Sequence, residues 1–101
     1  MSDPQTALEI NTKLKEPPMY KVIYMNDNET SMHFVIESLI KCFGYTFVVA
    51  EKITNEIHTE GAACAAILPF EIAEQKGIEI MTFARKEGYP LQIKIEEENK
   101  S

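Results

Sequence analysis

Residues 19–44, MYKVIYMNDNETSMHFVIESLIKCFG, change their hydrophobic period once, and that change sets the fold. From Met19 to Met25 aromatic and β-branched residues dominate, which suits a strand buried on at least one face. Asn26, Asp27, Asn28 and Glu29 then form a turn cluster whose short polar side chains bond their own backbone. Thr30 stands where a helix N-cap is expected. Beyond it Met32, Val35, Ile36, Leu39, Ile40 and Phe43 recur at three- and four-residue spacing, lining one helical stripe that Gly44 ends.

Downstream, Thr46 is a second cap candidate, Val49, Ile53 and Ile57 share a face, and Gly61 follows as a C′ residue, so a second helix is expected over residues 47–60. AACAAIL, residues 62–68, is a short apolar run whose length fits a central strand, although periodicity alone leaves a helix open. Pro69 suits a helix start, after which Ile72, Ala73, Gly77, Ile80, Met81 and Ala84 repeat on one side. Glu71, Glu74, Glu79 and Lys86 fall on the other side, and Gly88-Tyr89-Pro90 stops the helix. LQIKIE, residues 91–96, alternates apolar and polar without a break, as an edge or one-sided strand does. The order β-α-α-β-α-β points to an α+β fold, a three-stranded antiparallel sheet with three helices packed on one side.

The 101-residue length leaves material for one domain, over residues 19–96. A flexible, polar N-terminal tail is expected over 1–18, closing at Pro17-Pro18, and an acidic tail over 97–101. Sixteen acids against ten bases give a net charge of −6, which argues against sequence-independent nucleic-acid binding and against anionic membrane surfaces. With no charged-then-apolar leader and no apolar run near 18 residues, a cytoplasmic monomer with Cys42 and Cys64 as free thiols is the expectation.

Chemistry concentrates in the loop after the first strand. Asn26, Asp27 and Asn28 supply amide and carboxylate oxygens, a set that favours a cation as guest, although such a triplet also serves as a plain turn. His58 projects near the end of the second helix, where a histidine is either a helix-terminus cation or a functional group. Met32, Val35 and Ile57 either line a shallow pocket or belong to the core. No residue set has metal-ligand spacing, and neither a phosphate-binding glycine loop nor a G-x-S-x-G elbow is present, so no cofactor is expected.

The motifs join into one pattern. PPMYKVIYMND at 17–27, T-x-M-x-F-V from Thr30, IHTEG at 57–61, FEIAEQK at 70–76 and ARKEGYPL at 84–91 together resemble the ClpS family over about residues 17–96. Members of that family are adaptors that deliver N-degron peptides or proteins to an AAA+ Clp unfoldase of the ClpA or ClpC type. The resemblance implies that Asn26, Asn28 and His58 hold the free α-amino group of a substrate's first residue, with Asp27 in the middle loop position. It also implies an apolar pocket walled by Met32, Val35, Ile57 and Leu91, with Thr30 near the rim, and an unfoldase-docking surface at Glu71, Glu74 and Lys76. His58 must then be neutral to accept from the ammonium, so binding is expected to weaken on acidification.

Three positions depart from the family pattern. Asn28 stands where an acid is usual, Thr54 where many relatives carry methionine, and Ile57 where a smaller valine is common. One negative charge is thereby missing opposite the ammonium, and the pocket's volume and polarity change. Two other readings stay open: a divergent regulator of the unfoldase with altered or lost N-degron specificity, and a hydrolase using Cys42 or Cys64 with His58. The expected helical and strand positions of both cysteines count against the hydrolase.

Overall fold

The computed structural model describes residues 18–99; most of the tail expected over 1–18, and residues 100–101 of the acidic one, lie outside the described residues. The elements follow as β1 (Met19–Met25), α1 (Met32–Phe43), α2 (Phe47–Glu60), β2 (Ala62–Pro69), α3 (Phe70–Lys86) and β3 (Gln92–Glu97). β3 therefore starts one residue later than expected and continues into the first of the acids assigned to the tail, because Glu97 pairs with Tyr20.

The three strands form one antiparallel sheet in the order β2-β1-β3. The 62–68 run is thus an edge strand, and β1 is the central one. Its small residues answer a different need from central placement: α2 and α3 both pack on β2, and alanines let them approach. Between Val22 and Ile23 the register slips, since Val22 faces Ala66 while Ile23 faces Cys64, leaving Ala65 as a bulge. The Tyr45 hydroxyl, from the turn between α1 and α2, donates to the Ala65 carbonyl at 2.6 Å and anchors that turn on the sheet.

Strand alternation sorts the faces. Tyr20, Val22 and Tyr24 join Ala63, Ala65, Leu68, Ile93 and Ile95 in the core with the helices. Lys21, Ile23, Cys64 and Lys94 take the opposite face. All three helices therefore cover one side. The buried Tyr24 hydroxyl lies 2.8 Å from Ser38 Oγ, which donates to the Val35 carbonyl at 2.8 Å, so the sheet and α1 share a satisfied buried polar pair. Burial pushes the Tyr24 phenol far above its ordinary range.

The helix stripes are rotated slightly from the expected ones. α1 buries Phe34, Val35, Ser38, Leu39 and Cys42, while Met32 and Ile40 are exposed. Its N-cap is Ser31, whose Oγ accepts from Phe34 N–H at 3.1 Å, and not Thr30, whose hydroxyl is committed to Asp27. Thr46 does cap α2, where Ala50, Thr54 and Ile57 are buried and Val49 is exposed. α3 buries Ala73, Gly77, Ile80 and Ala84, with Ile72 outside. At Gly77 the helix rests on β3: a β-carbon there would lie 3.4 Å from Ile95 Cδ1 and 3.5 Å from Ile93 Cγ2. Fully buried Leu39, Ile80 and Leu91 each contribute about 1.5–3 kcal/mol by leaving water.

Candidate functional site

Strand register assembles the site. Met25 faces Ala62 on one side and Gln92 on the other, so the residues just beyond that row, Asn26, Gly61 and Leu91, come abreast at one end of the sheet. A hydrogen bond from Asn26 N–H to the Gly61 carbonyl, at 2.9 Å, ties the β1–α1 loop to the end of α2. Gly61 in turn donates to the Ile57 carbonyl at 2.9 Å, in a left-handed conformation (φ 88°) that a glycine adopts without strain. The last turn of α2, carrying Ile57 and His58, is thereby fixed beside Asn26.

Asp27 shapes the loop. Its Oδ1 accepts from Glu29 N–H at 2.8 Å and Thr30 N–H at 2.7 Å, and its Oδ2 accepts from the Thr30 hydroxyl at 2.7 Å. Partial burial works to raise the carboxyl's pKa, but the bonds from Thr30 and Glu29, with the positive charge of Arg85, outweigh it and hold Asp27 below its ordinary value. The middle residue of the triplet is therefore a scaffold whose oxygens are largely spent. Its neighbours Asn26 and Asn28 are exposed, as is His58.

The apolar residues of the expected set differ in burial. Val35, Ile57 and Leu91 are buried members of the single core cluster, while Met32, at the first position of α1, stays exposed next to the loop. Thr54 is also buried, and its hydroxyl donates to the Ala50 carbonyl at 2.7 Å, so its proton is already committed to the helix backbone. Asn26, Asn28 and His58 are thus the exposed polar members of the expected set, and Val35, Ile57 and Leu91 its buried apolar ones.

The residues expected to dock an unfoldase sit elsewhere, in the first half of α3. Glu71 and Glu74 are exposed, and Glu71 helps line a hollow of about 390 Å³ with Pro69, Phe70 and Ile72. Lys76 differs from them. It is half-buried, and its ammonium donates to the Cys42 carbonyl at 2.6 Å, in the last turn of α1, where a positive charge suits the helix dipole.

Both cysteine thiols are held above their ordinary pKa. Burial, with the neighbouring Glu79, pushes the Cys42 thiol up to about 12, and partial desolvation of its sulfur raises Cys64. Neither is biased toward thiolate, which removes support from a cysteine hydrolase. No helix among the described residues is long and apolar enough to cross a membrane. Sequence reasoning missed Arg85, whose Nη1 donates to the Tyr89 carbonyl at 2.9 Å and the Leu91 carbonyl at 2.8 Å. The available signal was an arginine in the last helical turn before a Gly-Tyr-Pro stop.

Residues 15–94 match the family model described as ATP-dependent Clp protease adaptor protein ClpS. The ATP-dependent Clp protease adapter protein ClpS of Campylobacter jejuni (strain RM1221) is 43% identical over 95 residues, covering 94% of this chain and 99% of that relative. The protein of the same name from Ruegeria pomeroyi is 37% identical over 98 residues, covering 97% and 87%. The solved structure of Agrobacterium tumefaciens ClpS2 bound to L-phenylalaninamide matches with a TM-score of 0.80 at 29% identity, over 82% of this chain and 100% of that one. A shared fold, a family match across nearly all of the described residues and relatives matched over most of their own length place this chain in the ClpS family of Clp protease adaptors.

Proposed function

We propose that this protein binds the free α-amino group and bulky apolar side chain of a substrate's N-terminal residue and delivers that substrate to a Clp AAA+ unfoldase. The observation that carries the reading is the register that brings Asn26, the α2 terminus with His58, and Leu91 to one end of the sheet. Support comes from the ligand of the Agrobacterium relative, since L-phenylalaninamide joins a free α-amino group to a benzyl side chain.

The mechanism is recognition in two parts, with no bond broken. The ammonium donates to Asn26, Asn28 and neutral His58, and each charge-assisted bond returns about 1.5–3 kcal/mol net. Seating a Leu or Phe side chain against Met32, Val35, Ile57 and Leu91 returns a further 1.5–3 kcal/mol or so. Micromolar affinity needs about 8 kcal/mol left over after association has cost at least about 4 kcal/mol, so neither part suffices alone. An acetylated or internal residue lacks the ammonium and is rejected. Thr30 holds the rim through Asp27, and Thr54 and Ile57 set which side chains fit. Glu71, Glu74 and Lys76 dock the unfoldase, the first two through open carboxylates.

Delivery is tested with a folded reporter that begins with Phe, incubated with a Clp unfoldase and its peptidase. Addition of this protein accelerates degradation of that reporter but not of one whose first residue is acetylated. Equal degradation of both contradicts the reading. Asn28 and the buried Thr54 favour a second reading, an unfoldase regulator with altered first-residue preference. It predicts intact unfoldase binding beside an array of first-residue variants that shows no preference for Phe, Tyr, Trp or Leu.

A further inference from the structure

The α3–β3 turn carries Leu91, whose side chain is buried in the core, and its backbone begins with Gly88 N–H donating to the Arg85 carbonyl at 3.1 Å. Gly88 adopts a left-handed backbone (φ 82°), Pro90 has no N–H, and the ladder with β1 begins only at Gln92. What closes the turn is backbone bonding from Tyr89 N–H to the Ala84 carbonyl at 2.9 Å and two bonds from a single guanidinium nitrogen. Arg85 Nη1 has two N–H groups, and the Tyr89 and Leu91 carbonyls take both, one on each side of Pro90. Tyr89 also packs on Phe34 of α1, ring centroids 5.1 Å apart, so the turn is braced against the helix that carries Met32 and Val35.

We propose that Arg85 is a positioning residue that fixes the width of the apolar compartment by clamping the α3–β3 turn, so that Leu91 stays seated beside the Asn26–Asn28 loop. The assignment rests on the first-residue-binding function proposed above and adds to it the residue that sets selectivity among side chains. Arg85 makes no contact with the guest in this account; it acts through Leu91. The positive charge of Arg85 also helps to hold the Asp27 carboxyl below its ordinary value.

Two variants separate a clamp from a general structural role. Arg85→Met removes both bonds and the charge, while Arg85→Lys keeps the charge and enough N–H donors for both carbonyls. Arg85→Met is expected to weaken binding of a Phe-initiated peptide about tenfold, the size of one charge-assisted bond. It should also flatten the Phe-over-Ala preference, with the melting temperature within a few degrees of the parent; Arg85→Lys should recover most of the loss. Parent-like affinity and selectivity in Arg85→Met overturn the proposal, as does an equal loss for every peptide accompanied by a large fall in melting temperature.

Amide spectra of the peptide-free protein give a second readout that needs no guest. Arg85→Met should shift the amides of residues 26–30 as well as 89–91. Shifts confined to 85–91 overturn the clamp. If the parent protein fails to discriminate first residues at all, the parent reading falls by itself, and the amide pattern alone decides the clamp.

Discussion

The two ends of the sheet are built differently. At the Met25 end, polar bonding organises everything: Asp27 holds its loop with three hydrogen bonds, Asn26 is tied to Gly61, and Arg85 binds two carbonyls of the α3–β3 turn. At the Met19 end, β1 and β2 finish at the Met19–Pro69 pair, and α3 starts without a side-chain cap beneath exposed Phe70 and Ile72. Tyr20 meets Phe70 edge-on at 4.9 Å and Glu98 N–H donates to the Met19 carbonyl at 2.9 Å, so aromatic packing there adds to backbone bonding without any side-chain clamp among the described residues. A fixed polar rim suits a small ligand with one permitted geometry. An open apolar and acidic face suits a protein surface that docks over a broader area. α3 runs from one end to the other, about 25 Å at 1.5 Å per residue, which separates the two proposed sites by the length of a helix.

The largest effect that sharpens this contrast should come from the polar rim. Asn26→Ala removes an acceptor for the ammonium and is expected to weaken a Phe-initiated peptide about 10- to 100-fold by calorimetry, while unfoldase binding stays as in the parent. At the other end, Glu74→Lys should lower unfoldase affinity about tenfold in a pull-down or interferometry titration and leave peptide affinity unchanged. Crossed effects, with either variant acting on the wrong partner, would break the two-ended picture.

Acid separates two groups of the rim. Asp27's folded pKa is depressed, so what it contributes to the loop is fully present above its unfolded value of 3.8 and is lost only as pH falls through the lower folded value. Peptide binding, which needs a neutral His58 to accept from the ammonium, should instead weaken on acidification while the amide spectrum of residues 27–30 is unchanged above pH 3.8; simultaneous loss of both would show that the loop itself is failing.

Smaller gains are expected from two repairs. Asn28→Asp restores a charge opposite the ammonium at an exposed position and should raise peptide affinity severalfold at low salt. Gly77→Ala, midway along α3, places a methyl in ordinary contact with Ile93 and Ile95 and improves helix propensity. It should stabilise the protein by about 0.5–1 kcal/mol in denaturant unfolding and leave both ends unaffected.

The element order was legible from local signals, since Gly44, Thr46 and Gly61 act as caps and stops where the sequence has them. The Thr30 cap was misread because two hydroxyl residues adjoin, and the choice of Ser31 depends on Asp27 taking the Thr30 proton, a contact three residues away. The strand order was hidden for a broader reason. A short apolar run of this length fits a central strand, whereas here it is an edge strand whose alanines let two helices lie close on it. Val49 and Ile40 fit an apolar period yet face solvent, since one helical stripe is indistinguishable from the next without knowing which direction the sheet lies. The constituents of the candidate site were visible as residue types. Their meeting at one end of the sheet depends on ladder register, which no local window contains.

The most direct test of the central claim is a calorimetric titration with two peptides identical except at the amino end, one beginning with free Phe and the other with acetyl-Phe. Binding of the first should be low-micromolar or tighter, with no measurable heat from the second. Equal affinity for both would mean that the rim of Asn26, Asn28 and His58 does not hold an ammonium.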